Sequence, residues 1–170
     1  MTKLRMVEAS DIEILDRQRT DAEAAGEHNW HGYRAVGRLA REVADGELVR
    51  ADGGLLAIAD ESGRTVGDVS WRSVLNGPPP HGECWEIGIW ITPEGRGQGH
   101  GAAAQRQLAE YLFAYTKLER IQATTEIGNL AEQKALEKAG FTREGVLRRA
   151  CFRAGDWRDM VMFSKLRNET

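Results

Sequence analysis

The densest chemical signal in the chain is PEGRGQGHGA, residues 93–102, where glycines stand at 95, 97, 99 and 101 just ahead of a helical pattern. Glycine costs roughly 0.5–1 kcal/mol relative to alanine inside regular structure, so this spacing needs a reason. The first turn of a helix offers unpaired N–H groups and a partial positive charge, and together these bind anions, most often phosphate. The loop Arg96, Gly97, Gln98, Gly99, His100, Gly101 is therefore a candidate phosphate cradle, with Arg96 as a pairing cation. The Walker A pattern fails, because no Lys-Ser or Lys-Thr follows the glycines. Gly97, Gly99 and Ala102 meet the dinucleotide pattern, and Glu126 could stand in for its ribose-binding acid. That motif normally opens a unit with further crossovers, which this chain does not supply, so a nucleotide-dependent oxidoreductase is kept only as a minor alternative.

A second signal lies just upstream, in CWEIGIWI (84–91). Strand alternation puts Glu86, Gly88 and Trp90 on one face. A carboxylate on a central strand is costly unless it faces solvent or a cleft. Cys84 and Cys151 are the two cysteines, without C-x-x-C spacing and without a neighbouring His to activate either. They are read as packing thiols in a reducing, cytoplasmic protein. His28 and His31 have no metal-ligand spacing and H-E-x-x-H is absent, so no metal is expected.

These groups must be carried by elements that the periodicity predicts. KLRMVEAS reads as a strand, followed by a helix started by a Ser10–Glu13 capping box. GEHNWHGY (26–33) breaks that helix, and Val36, Leu39, Ala40 and Val43 form the apolar face of a second. GGLLAIAD and RTVGDVSWRSV form a hairpin, and NGPPPHGE (76–83) is a loop before the Glu86 strand. A helix follows the glycines. RIQATTE is a strand, and NLAEQKALEKAGF is a helix with Asn129 as N-cap, Glu132 as capping-box partner and Gly140 just past its end. A hairpin closes the chain. Strand–helix–strand at the centre forces a parallel pair, while both ends are antiparallel, so the class is a mixed α/β sheet. With 170 residues the chain is expected to form a single domain, 1–170. A net charge of −3 gives no footprint for nucleic acid, and no apolar run is long enough for a membrane span or a signal peptide.

The run ITPEGRGQGHG resembles the cofactor motif of the GNAT superfamily of acyl-CoA N-acyltransferases, whose Arg/Gln-x-x-Gly-x-Gly/Ala core is matched by Arg96, Gly99 and Gly101. NLAEQKALEKAGF resembles the companion helix, and FRAGDWRDMVMFSKL the closing hairpin of the RimJ/RimL branch. The resemblance implies a central, mostly antiparallel sheet of about seven strands with a parallel pair at the cofactor cleft, flanked by four helices. It implies acetyl-CoA as co-substrate and a protein N-terminus or small-molecule amine as acceptor; a second copy of the chain is a candidate partner. The pantetheine arm is expected along the backbone of Trp90 and Ile91, with contacts to Asn129 and Lys134. Glu86 is the candidate base that takes the amine proton. His28, Trp30 and Tyr33, with His31, are candidates to line the acceptor site. Leu136 stands where many members carry a tyrosine that protonates the leaving thiolate, and Glu132 where many RimJ/RimL-like sequences have serine. The missing tyrosine keeps open a second class: a CoA-binding regulatory module without turnover.

Overall fold

The alternating strand CWEIGIWI becomes β5 (Glu83–Ile91), in the middle of an eight-stranded sheet. The computed structural model describes residues 1–169. Before β5 come β1 (Lys3–Arg5), β2 (Val49–Arg50), β3 (Gly53–Ala59) and β4 (Thr65–Leu75); after it come β6 (Arg120–Glu126), β7 (Thr142–Arg153) and β8 (Asp156–Leu166). The strand order is β1-β3-β4-β5-β6-β8-β7, with the two-residue β2 added beside β3. The expected parallel pair is β5–β6, and the other pairs are antiparallel. The crossover that joins it is α4 (His100–Tyr115).

Each face of the sheet buries its own apolar cluster. On one, Trp85 and Ile87 of β5 pack with Leu108 and Leu112 of α4 and Leu136 of α5 (Leu130–Lys138). On the other, Trp90 and Ala57 pack with Leu15 of α1 (Ile12–Thr20), Ala24 of α2 (Ala22–Ala25) and Leu39 of α3 (Arg38–Ala44). Alternation along β5 thus sends Trp85 and Trp90 to opposite helical layers.

Three local expectations are corrected. The first helix is not started by Ser10 and Glu13: Glu8 and Asp11 form the box, around a 3-10 turn at Ala9–Asp11. Asp11 is fixed there because Arg5 donates to both of its oxygens, at 2.6 and 2.8 Å. The third helix begins at Arg38, after Gly37 in the left-handed region at φ 88°, and Val36 is left outside it, 53% exposed. Among the described residues five α-helices flank the sheet rather than four, since Asp21 caps the extra one-turn α2 with bonds from Glu23 N and Ala24 N.

The ends of β6 and β7 are fastened by a buried ion pair. Arg153 donates through Nε and Nη2 to Glu126, both side chains being 8% exposed. The Arg153 guanidinium holds the Glu126 carboxyl below its ordinary range. A lowered folded pKa means that this stabilisation is complete above the ordinary carboxylate pKa and is lost as pH falls through the folded value. Arg153→Met leaves a buried charge unpaired and should cost about 3–5 kcal/mol in urea unfolding at pH 7. The double variant with Glu126→Leu should recover most of that loss. Equal destabilisation by single and double variants would show that packing, not the charge pair, fastens the hairpin.

Candidate functional site

The glycine loop ends in a helix N-terminus with open donors. Gly97 and Gly99 have φ of 77° and 84°, in the left-handed region that favours glycine, and an added Cβ on either would meet nothing within 4 Å. Backbone conformation, not crowding within the protein, therefore calls for glycine here. Gly99 caps α4 without a side chain, and the first bond back to it comes from Ala103 N at 3.2 Å. The amides of His100, Gly101 and Ala102 ahead of that bond are the free donors of the helix start. They border a cavity of about 470 Å³ between this loop, α5 and the 25–29 segment. A diphosphate fits this donor set by charge and by geometry.

Arg96 is placed differently from a free phosphate ligand. Its Nη2 donates to Ala24 O at 2.6 Å and its Nε to Ile91 O at 3.2 Å. Trp90 Nε1 also donates to Ala24 O, at 2.9 Å. One carbonyl of α2 thereby ties the glycine loop to the end of β5. Gln98 turns back to Glu94 O at 2.7 Å, outside the cavity lining, and the His100 ring meets Thr2 Oγ1 at 3.0 Å.

The cavity continues to an opening in the sheet. β5 and β6 pair only at Trp85↔Ile121 and Glu86↔Gln122. Beyond Glu86 they part. Thr92 N bonds Val66 O at 2.9 Å, and the register aligns Trp90 with Asp68. Antiparallel bonding alternates, so Trp90 spends its backbone on β4 while Ile89 and Ile91 turn theirs toward the gap. The strand groups that face the gap are thus those of Ile89 and Ile91, and not those of Trp90. Ile89 and Ile91 also line the cavity, whereas the Trp90 side chain is buried on the opposite face.

On that opposite face lies a second cavity, of about 570 Å³, between α1, the 29–34 loop and the β4–β5 floor. Gly88 keeps the floor bare, since a Cβ there would stand 3.0 Å from Ser70 Oγ. Glu86 lines this cavity as expected, but its carboxylate is engaged: Arg72 donates from Nε at 3.1 Å and from Nη2, and Gln122 Nε2 donates at 3.2 Å. Asn29 and Ile89 border both cavities, so the two meet at the β5–β6 opening.

Residues 2–142 match the family model described as an acetyltransferase (GNAT) domain. The chain belongs to the GNAT acetyltransferase family. It is 36% identical over 84 residues to YdaF of Bacillus subtilis (strain 168), named for ribosomal N-acetyl transfer, covering 49% of this chain and 46% of that protein. It is 32% identical over 106 residues to the B. subtilis N-acetyltransferase YjcK, covering 62% and 56%. The chain thus spans about half the length of these curated relatives. A spermidine N-acetyltransferase from Vibrio cholerae, solved with CoA and spermine, superposes with a TM-score of 0.78 at 20% identity, over 99% of this chain and 96% of that one.

In this GNAT domain the companion helix is capped as expected: Asn129 Oδ1 accepts from Glu132 N at 3.3 Å, and its Nδ2 donates to Thr125 Oγ1 at 3.1 Å. Glu132 does not close a capping box. Its side chain borders the first cavity, accepts from Gln105 Nε2 at 3.4 Å, and is pushed by burial up to about 8. Leu136 is fully buried core, and Lys134 borders the cavity from the α5 surface. Cys84 is buried with Asn76 Nδ2 at 3.3 Å from Sγ, and burial pushes its thiol up, away from nucleophilic use.

The 26–33 segment reaches the site with different residues from those expected. His28 borders the first cavity, 3.4 Å from Glu126 Oε2, and not the second. Trp30 and Tyr33 stack on each other edge to face, with centroids 5.2 Å apart, and line neither cavity; Tyr33 is 85% exposed. Asn29, His31 and Arg34 line the second cavity instead. Partial burial, with Arg34 and Arg153 nearby, pushes the His31 pKa down.

Gly99→Val forces a β-branched residue into the left-handed region and reshapes the amide cradle. CoA affinity, measured by calorimetry on the folded variant, should fall by at least ~30-fold, since each charge-assisted hydrogen bond is worth about 1.5–3 kcal/mol. Unchanged affinity would remove the loop from cofactor binding.

Proposed function

We propose that this protein transfers an acetyl group from acetyl-CoA to a primary amine, by direct attack of the amine nitrogen on the thioester carbonyl. One observation carries the reading. A cavity headed by free helix amides and a cavity floored by carboxyl-bearing strands lie on opposite faces of the sheet and meet where β5 leaves β6. Such an arrangement lets two substrates reach one point from different sides, which turns a bimolecular encounter into a positioned one. The diphosphate would sit against the amides of residues 97–102. The pantetheine arm would follow Ile89 and Ile91, as an added strand follows a sheet edge, with Asn129 and Lys134 beside it. Either free amide could polarise the thioester carbonyl.

The acceptor cavity carries Glu86 and Asp68 on its floor; Arg72 pairs with Glu86 and Arg34 also lines it, so Asp68 is the carboxyl without an arginine in contact that an amine can meet. With Arg72 and Gln122 occupying its oxygens, Glu86 is better placed to orient the ammonium than to take its proton. A protein N-terminus and a small-molecule amine both fit that chemistry. The second reading, cofactor binding without turnover, is favoured by the buried leucine at 136 where a proton donor is usual in the family. The oxidoreductase alternative loses its ribose-binding acid, because Glu126 is committed to Arg153.

Free-thiol release from acetyl-CoA, followed across a panel of primary amines and N-terminal peptides, tests the proposal. Release that depends on the amine is expected. Tight CoA binding with no amine-dependent release across the panel would leave the regulatory module. Glu86→Gln should raise the acceptor KM with kcat nearly intact. A fall in kcat of ~10²–10⁴-fold with KM unchanged would instead make Glu86 the base that its position first suggested.

A further inference from the structure

The second carboxyl of the acceptor cavity differs from Glu86 in every respect that governs proton transfer. Asp68 is 5% exposed, on β4, in register with Trp90. Its side chain shares a face with Gly88 and Glu86, because directly paired residues point the same way. It therefore stands beside the stretch of β5, Gly88 to Ile91, where the gap to β6 opens, whereas Glu86 lies where the two strands still pair. Among the described residues its one hydrogen-bond partner is Gln18 of α1, whose Nε2 donates to Oδ2 at 2.6 Å. Glu86 has an arginine in contact; Asp68 has only a neutral amide.

We infer that Asp68 accepts the proton of the acceptor's ammonium, and that Glu86, paired with Arg72, supplies attraction and orientation. The inference rests on the acetyl-transfer reading. The Asp68 carboxylate takes H⁺ from R–NH₃⁺, freeing the nitrogen lone pair to attack the thioester carbonyl carbon. The C–S bond then breaks with its electron pair passing to sulfur, and the second proton of the attacking nitrogen neutralises the thiolate. Asp68 returns its own proton to water.

Electrostatics support the geometry. Burial pushes Asp68 up to about 7, against the bond from Gln18 and the field of Arg19. The other charged or titratable groups facing the cavity are His31 and Arg34 from the loop, and Arg72 and Glu86 from the floor. A base poised near neutrality combines a useful ionised fraction with real proton affinity. Only the ionised form can act, so the rate should rise with pH through about 7.

The alternative is that Asp68 merely fastens α1 to the sheet through Gln18, and the tests separate the two. First, ¹³C-carboxyl NMR of the protein without cofactor should show Asp68 titrating near pH 7, with its apparent pKa falling when methylammonium chloride is added. Second, with an amine that turns over, Asp68→Asn should lower kcat by at least ~10²-fold and abolish the acid limb of the pH–rate profile, while Glu86→Gln keeps that limb. Third, should Asp68→Asn fail to fold, Gln18→Met removes the hydrogen bond that lowers the Asp68 pKa and should shift the acid limb to higher pH. Titration of Asp68 below pH 5, or an acid limb unmoved in Asp68→Asn or in Gln18→Met, would overturn the assignment. Failure of every amine to release thiol, with Asp68 still titrating near 7 and responding to methylammonium, would refute the transfer reading and leave an ammonium-binding site.

Discussion

Between β5 and β6 only two residue pairs stay in register, although both strands run on past them. Each has a firm partner on its other side. β5 pairs with β4 over nine positions, and β6 pairs with β8 over seven. The opening is therefore a gap between two complete half-sheets, not a frayed edge. The Ile91 carbonyl is taken by Arg96 Nε at 3.2 Å, so the groups left facing the gap are the Ile89 backbone and the Ile91 amide, which call for water or a bound molecule. Everything else in the site is arranged around that vacancy in the ladder. α4 starts where β5 ends, α5 starts where β6 ends, and the two cavities touch through the space between.

The two sides of the opening use different chemistry. The first cavity, proposed for the cofactor, is built mainly from backbone: helix-start amides, glycines at positive φ, and strand groups facing the gap. Such donors are fixed by the fold and suit an anion of constant shape. The second cavity, proposed for the acceptor, is lined by side chains, chiefly Asp68, Arg72, Glu86, His31 and Arg34. Its walls come from α1 and the 29–34 loop, which are held to the sheet by contacts such as Gln18 to Asp68 and Trp90 to Ala24. The loop members of that set, His31 and Arg34, can be exchanged without disturbing the sheet, whereas Asp68, Arg72 and Glu86 are built into it.

How much of this was legible in the sequence depends on whether the signal is local. The glycine loop, the Asn129 cap and the parallel pair were legible, because each rests on turn chemistry, capping or connectivity within a few residues. The face carrying Glu86 followed from alternation alone. The parity of the β5 backbone did not, since it is set by which residue of β4 lies opposite, and Trp90 was expected to face the gap where Ile89 does. Asp68 was missed for a related reason. In RTVGDVSW an acid between apolar neighbours reads as a solvent-facing strand position, and nothing local reveals that Gln18 and the loop cover it. Trp30 and Tyr33 belong to a segment whose residues 29, 31 and 34 line the second cavity, but an irregular segment has no period to say which side chains turn inward. Glu8 and Asp11 displaced Ser10 and Glu13 at the first helix because Arg5 and Thr65, one of them from a distant strand, fix the Asp11 carboxylate.

The central claim is that the cofactor completes the ladder that β5 leaves open. Amide hydrogen exchange resolved by residue, with and without CoA, tests it most directly. The account predicts that CoA slows exchange at Ile89, Ile91 and residues 97–102, and leaves Trp90, already bonded to β4, unchanged. Slowing confined to the glycine loop, with Ile89 and Ile91 exchanging as fast as before, would contradict it.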